Sequence, residues 1–393
     1  MTFAEIRAQE KRNMMPVFSR FPVVLVSGKG ATAKSPEGKE YIDFTAGIGV
    51  NSLGYCDPEW VAAVSKQAAA IQHLSNLYYC PAQTEAAERL CALSGMSKVF
   101  FGNSGAEANE CAIKLARKYG LDRLGPGHTH IVTLKNSFHG RTVTTLAATG
   151  QDALHAHFTP LTEGFSYAEP TMESIGAAAT DKTCAVMLEL IQGEGGVVPM
   201  NPAFVQELRA FCTERRLLMV VDEVQTGIGR TGTFYCYQSY GVLPDVVTSA
   251  KGIASGLPLG ACLCAEPFKD VLGPGTHGST FGGNPVACAG ALVVFQRLSS
   301  PGFLEGVQEK GKYFAERLGA MRGILSVRGM GLMLGAKPAA GDPGKIAAAC
   351  ADRGLLILTA KDVLRFLPPL VITKEETDRG LAILKKVLAS FAP

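Results

Sequence analysis

Several features that would place a protein quickly are missing from this 393-residue chain, and each absence removes a class of function. No apolar run approaches the roughly 18 residues of a membrane span, because LLMVV and AVMLEL are both closed by charge. MTFAEIRAQEKRNMM carries no apolar core of a secretory signal. The eleven cysteines are odd in number and form no C-x-x-C pair, so neither a disulfide framework nor a zinc ribbon is expected, and a reduced cytoplasmic setting is. A formal net charge of +3 without any basic block excludes a surface that tracks nucleic acid. No G-x-x-x-x-G-K-[ST] stretch occurs, so a nucleoside triphosphate lacks its usual seat. There is no internal repeat, no low-complexity tract, and no constellation that calls for a metal.

What is present is a core. Apolar residues make up 47% of the chain against 19% charged, which is enough to bury two or three domains' worth of interior. FPVVLVSGKGATAKSPEGKEYIDF alternates around SGKG and SPEG and predicts hairpins. Within it Gly28, Gly30 and Ala33 spell the G-x-G-x-x-A of a dinucleotide loop, yet Pro36 and Gly38 stand where the required helix should follow. From about residue 100, short β-branched runs (HIVTL, CAVMLEL, LLMVVDEV, VVTSA) alternate with helical stretches such as NPAFVQELRAFCTERR. That order predicts an α/β layer on a mostly parallel sheet. After Pro301 the expected order is helix, a strand at ILSVRGMGLMLGA, helix, a strand at VLRFLPPL and a terminal helix: a smaller α+β domain that the N-terminal hairpins join. The expected division is 1–48 with 291–393 as the small domain and 49–290 as the large one.

In such sheets ligands bind beyond the carboxyl ends of the strands, and two charges fall there, Asp222 after LLMVV and Lys251 after VVTSA. A lysine beside apolar strands tends to lose its proton and become a nucleophilic amine able to form an imine, although one lysine alone can equally bend to solvent. A buried Asp222 needs a cation; the pyridine nitrogen of pyridoxal phosphate and a magnesium ion both qualify. FGNSGAEANECAIKLARKYG adds an anion seat. Ser104 and Glu107 form an S-x-x-E capping box, Gly105 and Ala106 lack bulk, and Gly120 can end the helix. Aldehyde-ready lysine, carboxylate and anion seat together favour pyridoxal phosphate.

These residues lie in blocks that resemble the class III aminotransferases, pyridoxal-phosphate enzymes of fold-type I. The blocks are YIDFTAGIGVNSLGY, FGNSGAEANECAIKLAR, SFHGRT, LELIQGEGG, VVDEVQTGIGRTG, SAKGIASGLPLGA, HGSTFGGNPVACA, VRGMGLMLG and VLRFLPPLVIT. The resemblance implies that Lys251 carries the cofactor aldehyde as an imine and that Asp222 pairs with the ring nitrogen. Ser104, Gly105 and Ala106 would meet the phosphate, Phe138 and Val224 the two ring faces, and Gln225 the phenolic oxygen. Thr280 would reach the partner subunit's phosphate, which makes the expected unit a homodimer. Arg141 and Arg365 would take the two carboxylates of 2-oxoglutarate, Glu194 would pair with Arg365 while the amino donor binds, and Ser279 would touch the donor.

Gly47 stands where enzymes for free ornithine carry a tyrosine for the α-amino group, so the resemblance favours N-acetylornithine. Ornithine, succinylornithine, N-succinyl-diaminopimelate and 4-aminobutyrate are the alternatives. The family's Gly-His-x-x-Pro is replaced by Gly54, Tyr55, Cys56, Asp57 and Pro58, which bears on the neighbouring entrance loop. Three other classes compete: a pyridoxal aminomutase or racemase, which needs no dicarboxylate acceptor; a non-catalytic binding protein, which would not keep both Lys251 and Asp222; and a nucleotide-dependent oxidoreductase resting on Gly28 and Gly30.

Overall fold

The computed structural model describes residues 2–391. Its centre is a seven-stranded sheet in the order Lys98–Gly102, Gly260–Cys264, Val246–Ser249, Leu218–Asp222, Thr183–Leu188, His130–Leu134, Phe165–Ala168. All pairings are parallel except those of Gly260–Cys264, which runs antiparallel to both neighbours. Both faces are covered, which is why the strands read as unbroken apolar runs. Along Leu218–Asp222, Leu218 and Val220 pack beneath the helix Gly105–Tyr119 while Met219 and Val221 enter the main core on the other face.

The hairpins form as expected. Ser27–Lys29, Thr32–Lys34 and Glu40–Asp43 pair antiparallel. The last of these pairs in parallel with Leu355–Leu356, tying the N-terminal part to the C-terminal one. The dinucleotide-loop reading of Gly28 and Gly30 fails, because both lie in this hairpin and no helix follows: a Cβ on Gly28 would meet the Tyr55 ring at 2.7 Å, and Gly30 turns the chain at φ +58°.

Two local expectations are corrected. ILSVRGMGLMLGA is not one strand but an antiparallel pair, Ile324–Met330 and Met333–Pro338, folded back at Gly331. That glycine has φ +54° and a Cβ there would strike the Thr231 backbone at 2.6 Å, so the turn is fixed by a close approach invisible to periodicity. Nor does Gly120 end its helix: it keeps helical angles, and the chain runs on through one wider turn to Leu124. A Cβ on Gly120 would lie 1.9 Å from the His128 carbonyl, so packing and not capping selects glycine there.

The pair Ile324–Met330/Met333–Pro338 continues into Val363–Phe366 and Leu358–Ala360, with the helices Phe303–Gly319, Pro343–Asp352 and Lys374–Ala389 in the same C-terminal part. The helix Pro285–Leu298 runs across residue 290 and packs on Pro58–Ala70 and Pro81–Ser94. The Gly54–Pro58 departure is accounted for locally. The Asp57 carboxylate caps the helix Pro58–Ala70 by accepting from the amides of Glu59 and Trp60, both at 3.1 Å, and Tyr55 donates its hydroxyl to Asp43 at 2.8 Å. No single described helix is long and apolar enough to cross a membrane.

Candidate active site

Beyond the carboxyl ends of the strands lies a cavity of about 420 Å³. Lys98–Gly102 delivers the chain to Asn103 and Ser104, and the helix Gly105–Tyr119 begins at once. Ser104 Oγ accepts from the Glu107 amide at 3.2 Å, as a capping residue should. The box does not close as expected, however, for the Glu107 carboxylate takes the amide of Asn103 and not that of Ser104. First-turn amides have no intrahelical acceptor, so Gly105 and Ala106 present N–H groups to the cavity they line. A Cβ on Gly105 would meet Val224 at 2.7 Å, and one on Gly260 would lie 2.2 Å from the Ser104 carbonyl; the seat is shaped by backbone that only glycine permits.

Asp222 ends its strand 4% exposed and lines the same cavity. Oδ2 accepts from Asn109 Nδ2 and from the His139 ring Nδ1, both at 2.8 Å, and Oδ1 from the Val224 amide at 3.0 Å. Asn109 is itself fixed, donating to the His139 carbonyl at 2.7 Å and accepting from Thr248 Oγ1 at 2.6 Å. The carboxylate is thus oriented by buried neighbours while no lysine or arginine pairs with it, so its charge is open to a cation entering the cavity. Lys251 follows strand Val246–Ser249 with φ +45° and also lines the cavity. Burial pushes its ammonium below the usual lysine range; the charges of Asp222 and Glu194 oppose that shift and Arg365 adds to it.

Phe138, Val224 and Gln225 line the same space, giving apolar faces and an amide, so every expected cofactor-binding residue except Thr280 lines one cavity. The group fits: an anion seat bare of side chains, a buried acid oriented by hydrogen-bond donors of Asn109, His139 and the Val224 amide, and a lysine whose amine is driven toward neutrality.

A second space of about 920 Å³ opens outward from Phe138, Arg141 and Lys251 and brings in Glu194 and Arg365. Arg365 is 4% exposed and donates from Nη1 to Glu194 Oε1 at 2.5 Å and to Gln225 Oε1 at 3.5 Å. Arg141 stands with its guanidinium 5.5 Å from the centre of the Phe138 ring. The apolar wall comes from Ile48, Val143 and Phe158 and, unexpectedly, from Val17 and Phe18 of the N-terminal arm; Gly47 also faces it. Tyr55 and Cys56 line neither space. Ser279 and Thr280 are not brought into them either: Ser279 Oγ is bonded to Asn103 Nδ2 at 3.2 Å and the Gly282 amide at 3.0 Å, and Thr280 is exposed.

Sequence reasoning overlooked Asn109, His139, Thr248 and Glu189. Asn109 is four residues beyond Gly105, hence on the same helix face, and His139 adjoins Phe138; both were legible by spacing. Glu189 is 5% exposed and accepts from the Phe138 amide at 2.9 Å. Burial drives its carboxyl well above the usual range, with the charge of Asp222 adding to the effect.

The sequence profile of the family Aminotransferase class-III matches residues 14–388. The acetylornithine aminotransferase of Caldanaerobacter subterraneus is 48% identical over 388 residues, covering 97% of this chain and 98% of that one. Among solved structures, the ornithine aminotransferase of Toxoplasma gondii, described with partial occupancy of pyridoxal phosphate at its active site, matches with a TM-score of 0.94 at 30% identity over 99% of this chain and 95% of that chain. The N-acetylornithine aminotransferase of Stenotrophomonas maltophilia matches at 0.84 with 36% identity, covering 98% of each chain.

Proposed function

Since the chain belongs to the class-III aminotransferases and is a pyridoxal-phosphate-dependent transaminase, we propose that its amino donor is N-acetylornithine and its acceptor 2-oxoglutarate, worked in two alternating half-reactions. Pyridoxal phosphate, when bound, supplies an aldehyde that condenses with amines and a ring that withdraws electrons. The residues of the chain do the rest. Lys251 would hold the cofactor through its aldehyde; its amine, freed when the donor amine takes its place, would take the proton from the donor's δ-carbon and deliver it to the former aldehyde carbon, so that the amino group stays behind. Asp222, fixed by Asn109 and His139, keeps the ring nitrogen protonated, and Ser104, Gly105 and Ala106 hold the phosphate. Phe138 and Val224 confine the ring and Gln225 takes its phenolic oxygen.

The donor assignment is carried by one observation. In the outer space Glu194 is the single acid and it is already paired to Arg365, so a free α-ammonium finds no counter-charge, whereas one carboxylate finds Arg141. Of the relatives, the acetylornithine aminotransferases of Caldanaerobacter subterraneus and Stenotrophomonas maltophilia support the same reading. An N-acyl group removes the α-charge and suits the wall of Ile48, Phe158, Val17 and Phe18. In the acceptor half-reaction Glu194 withdraws, and Arg365 and Arg141 clamp the two carboxylates. A screen of half-reactions with acetylornithine, ornithine, succinylornithine and 4-aminobutyrate tests this: acetylornithine should discharge the cofactor aldehyde fastest, and a faster reaction with ornithine or 4-aminobutyrate overturns the assignment.

The active unit in this reading is a cytoplasmic homodimer. Thr280 is exposed beside Phe281 (60%), and Asn76 Nδ2 ties that segment, at the Ser279 and Gly282 carbonyls, to Leu77 (85%), Tyr78 (69%) and Tyr79 (97%), an apolar surface suited to a second copy. Sedimentation at micromolar concentration should give twice the chain mass. Mixing Lys251→Ala with Thr280→Ala chains should regenerate sites intact in both residues, and a monomer with full activity refutes the arrangement.

A further inference from the structure

The face of the central sheet beneath the helix Gly105–Tyr119 carries a third cavity, of about 240 Å³, that plays no part in the transamination just described. Its wall holds three of the chain's free cysteines: Cys262 and Cys264, two apart on one face of the strand Gly260–Cys264, and Cys111, opposite them on the helix. All three are buried, yet all three line the cavity. Among the described residues no group of three or more His, Cys, Asp or Glu is arranged to hold a metal, so these are free thiols and not ligands.

The three sulfurs have different surroundings. Cys264 Sγ lies 3.8 Å from the Lys98 carbonyl and is turned to the strand edge. Cys111 sits against the Cys262 thiol and the His277 ring. His277 belongs to a relay: one turn along the helix from Cys111, Lys114 Nζ lies 3.0 Å from His277 Nδ1 and donates at 2.8 Å to the Thr276 carbonyl. An ammonium can only donate, so Nδ1 is the accepting nitrogen, and the ring proton is on Nε2, free to donate to Cys111. Lys98 and Lys269 also face the cavity, each paired at its head, to Asp270 and Glu266. The Cys262 thiol as donor, with His277 and Lys114 on the same side, brings the Cys111 thiol down to about 6 in spite of its burial. Cys262, which gives that hydrogen bond, is driven the other way.

We propose that Cys111 and Cys262 form a dithiol site for small hydroperoxides, with Cys111 as the attacking thiolate and Cys262 as the thiol that closes a disulfide between helix and strand. The Cys111 sulfur attacks the outer oxygen of the hydroperoxide, the O–O bond breaks, and the departing alkoxide or hydroxide takes a proton from the Lys114–His277 relay. Cys111 is then a sulfenic acid. Cys262 attacks its sulfur, the S–O bond breaks, and the hydroxide leaves as water with the proton of Cys262. Two thiols and one hydroperoxide yield one disulfide, one alcohol or water, and one further water, a two-electron exchange. The new bond ties to the sheet the helix that begins at Gly105 and carries Asn109, the residue that orients Asp222.

Holoenzyme treated with one equivalent of hydrogen peroxide, alkylated and mapped by peptide mass spectrometry tests the site, with the exposed Cys56 as internal reference. The expected result is a Cys111–Cys262 linked peptide, lighter by two hydrogens and reopened by dithiothreitol, formed at least tenfold faster than any oxidation of Cys56. In Cys262→Ser, Cys111 should instead be captured by dimedone as the sulfenic acid; in Cys111→Ser neither product should form. Oxidation of Cys56 with Cys111 untouched, or linkage of Cys111 to another cysteine, overturns the proposal. The mapping of the unaltered enzyme decides even if a variant folds poorly.

Discussion

Replacing Glu194 by glutamine should switch the enzyme's preference between its two carboxylate-bearing partners. Arg365 has a single carboxylate partner, Glu194, at 2.5 Å, and the two side chains are 5% and 33% exposed. Two unit charges near a protein surface attract by about 4 kcal/mol at 4 Å, and stripping one partner from a buried pair costs about 3–5 kcal/mol. Glu194 is one-third open to water and glutamine keeps one hydrogen bond, so roughly half of that, about 2 kcal/mol, is the fair figure for the competition removed. Each 1.4 kcal/mol is tenfold, so the freed Arg365 should raise kcat/KM for glutamate over that for acetylornithine by about 30-fold. Stopped-flow measurement of each half-reaction, following the absorbance of the bound aldehyde, gives the ratio directly. A ratio that moves less than threefold, or in favour of acetylornithine, refutes the gating role of Glu194.

Lys251→Ala should leave no cofactor fixed to residue 251 after borohydride reduction and peptide mapping, and should slow transamination by about 10²–10⁴-fold or more. In the cofactor-free protein the charge of Asp222 raises the lysine's affinity for its proton, so Asp222→Asn should lower the pH at which Lys251 is half-acylated by a small reagent still further; an upward shift contradicts the electrostatics. Gly105→Ala places a methyl 2.7 Å from Val224 in the anion seat, and overpacking of about 1–3 kcal/mol should weaken cofactor binding ~10–100-fold in apoenzyme titrations. Glu189 has a raised folded-state value, so its contribution to stability is complete at low pH and is lost as pH rises toward that value. The Tm of Glu189→Gln relative to the unaltered protein should therefore climb with pH above about 4.5, and a difference that is flat or falls with pH contradicts a raised carboxyl there.

The fold was legible wherever the information is local. Apolar runs ending in Asp222 and Lys251, the turn residues of the N-terminal hairpins and the helix start at Ser104 each depend on a few neighbouring residues, and the strands, hairpins and helix formed accordingly. Local signals failed where a distant chain segment made the decision. Gly331 breaks an apparent single strand because the Thr231 backbone crowds it, and Gly120 is glycine because the His128 carbonyl approaches it, neither of which leaves a periodic trace. The same holds for the Val17 and Phe18 wall, which belongs to an arm with no local reason to lie near Lys251.

By itself the sequence determined the chemical inventory: which residue types stand at strand ends and helix starts, and therefore an amine, a carboxylate and an anion seat on the carboxyl side of one sheet. Tertiary structure decided what those groups are worth. It brought Arg365 to Glu194 across 171 residues and Asn109 to Asp222 across 113. It also removed water from around Lys251 and Glu189, which pushes the lysine's ammonium below its usual range and the glutamate's carboxyl above its own. Periodicity records the backbone's short-range geometry, whereas desolvation and charge pairing depend on which surfaces meet, and that is settled only when the whole chain packs.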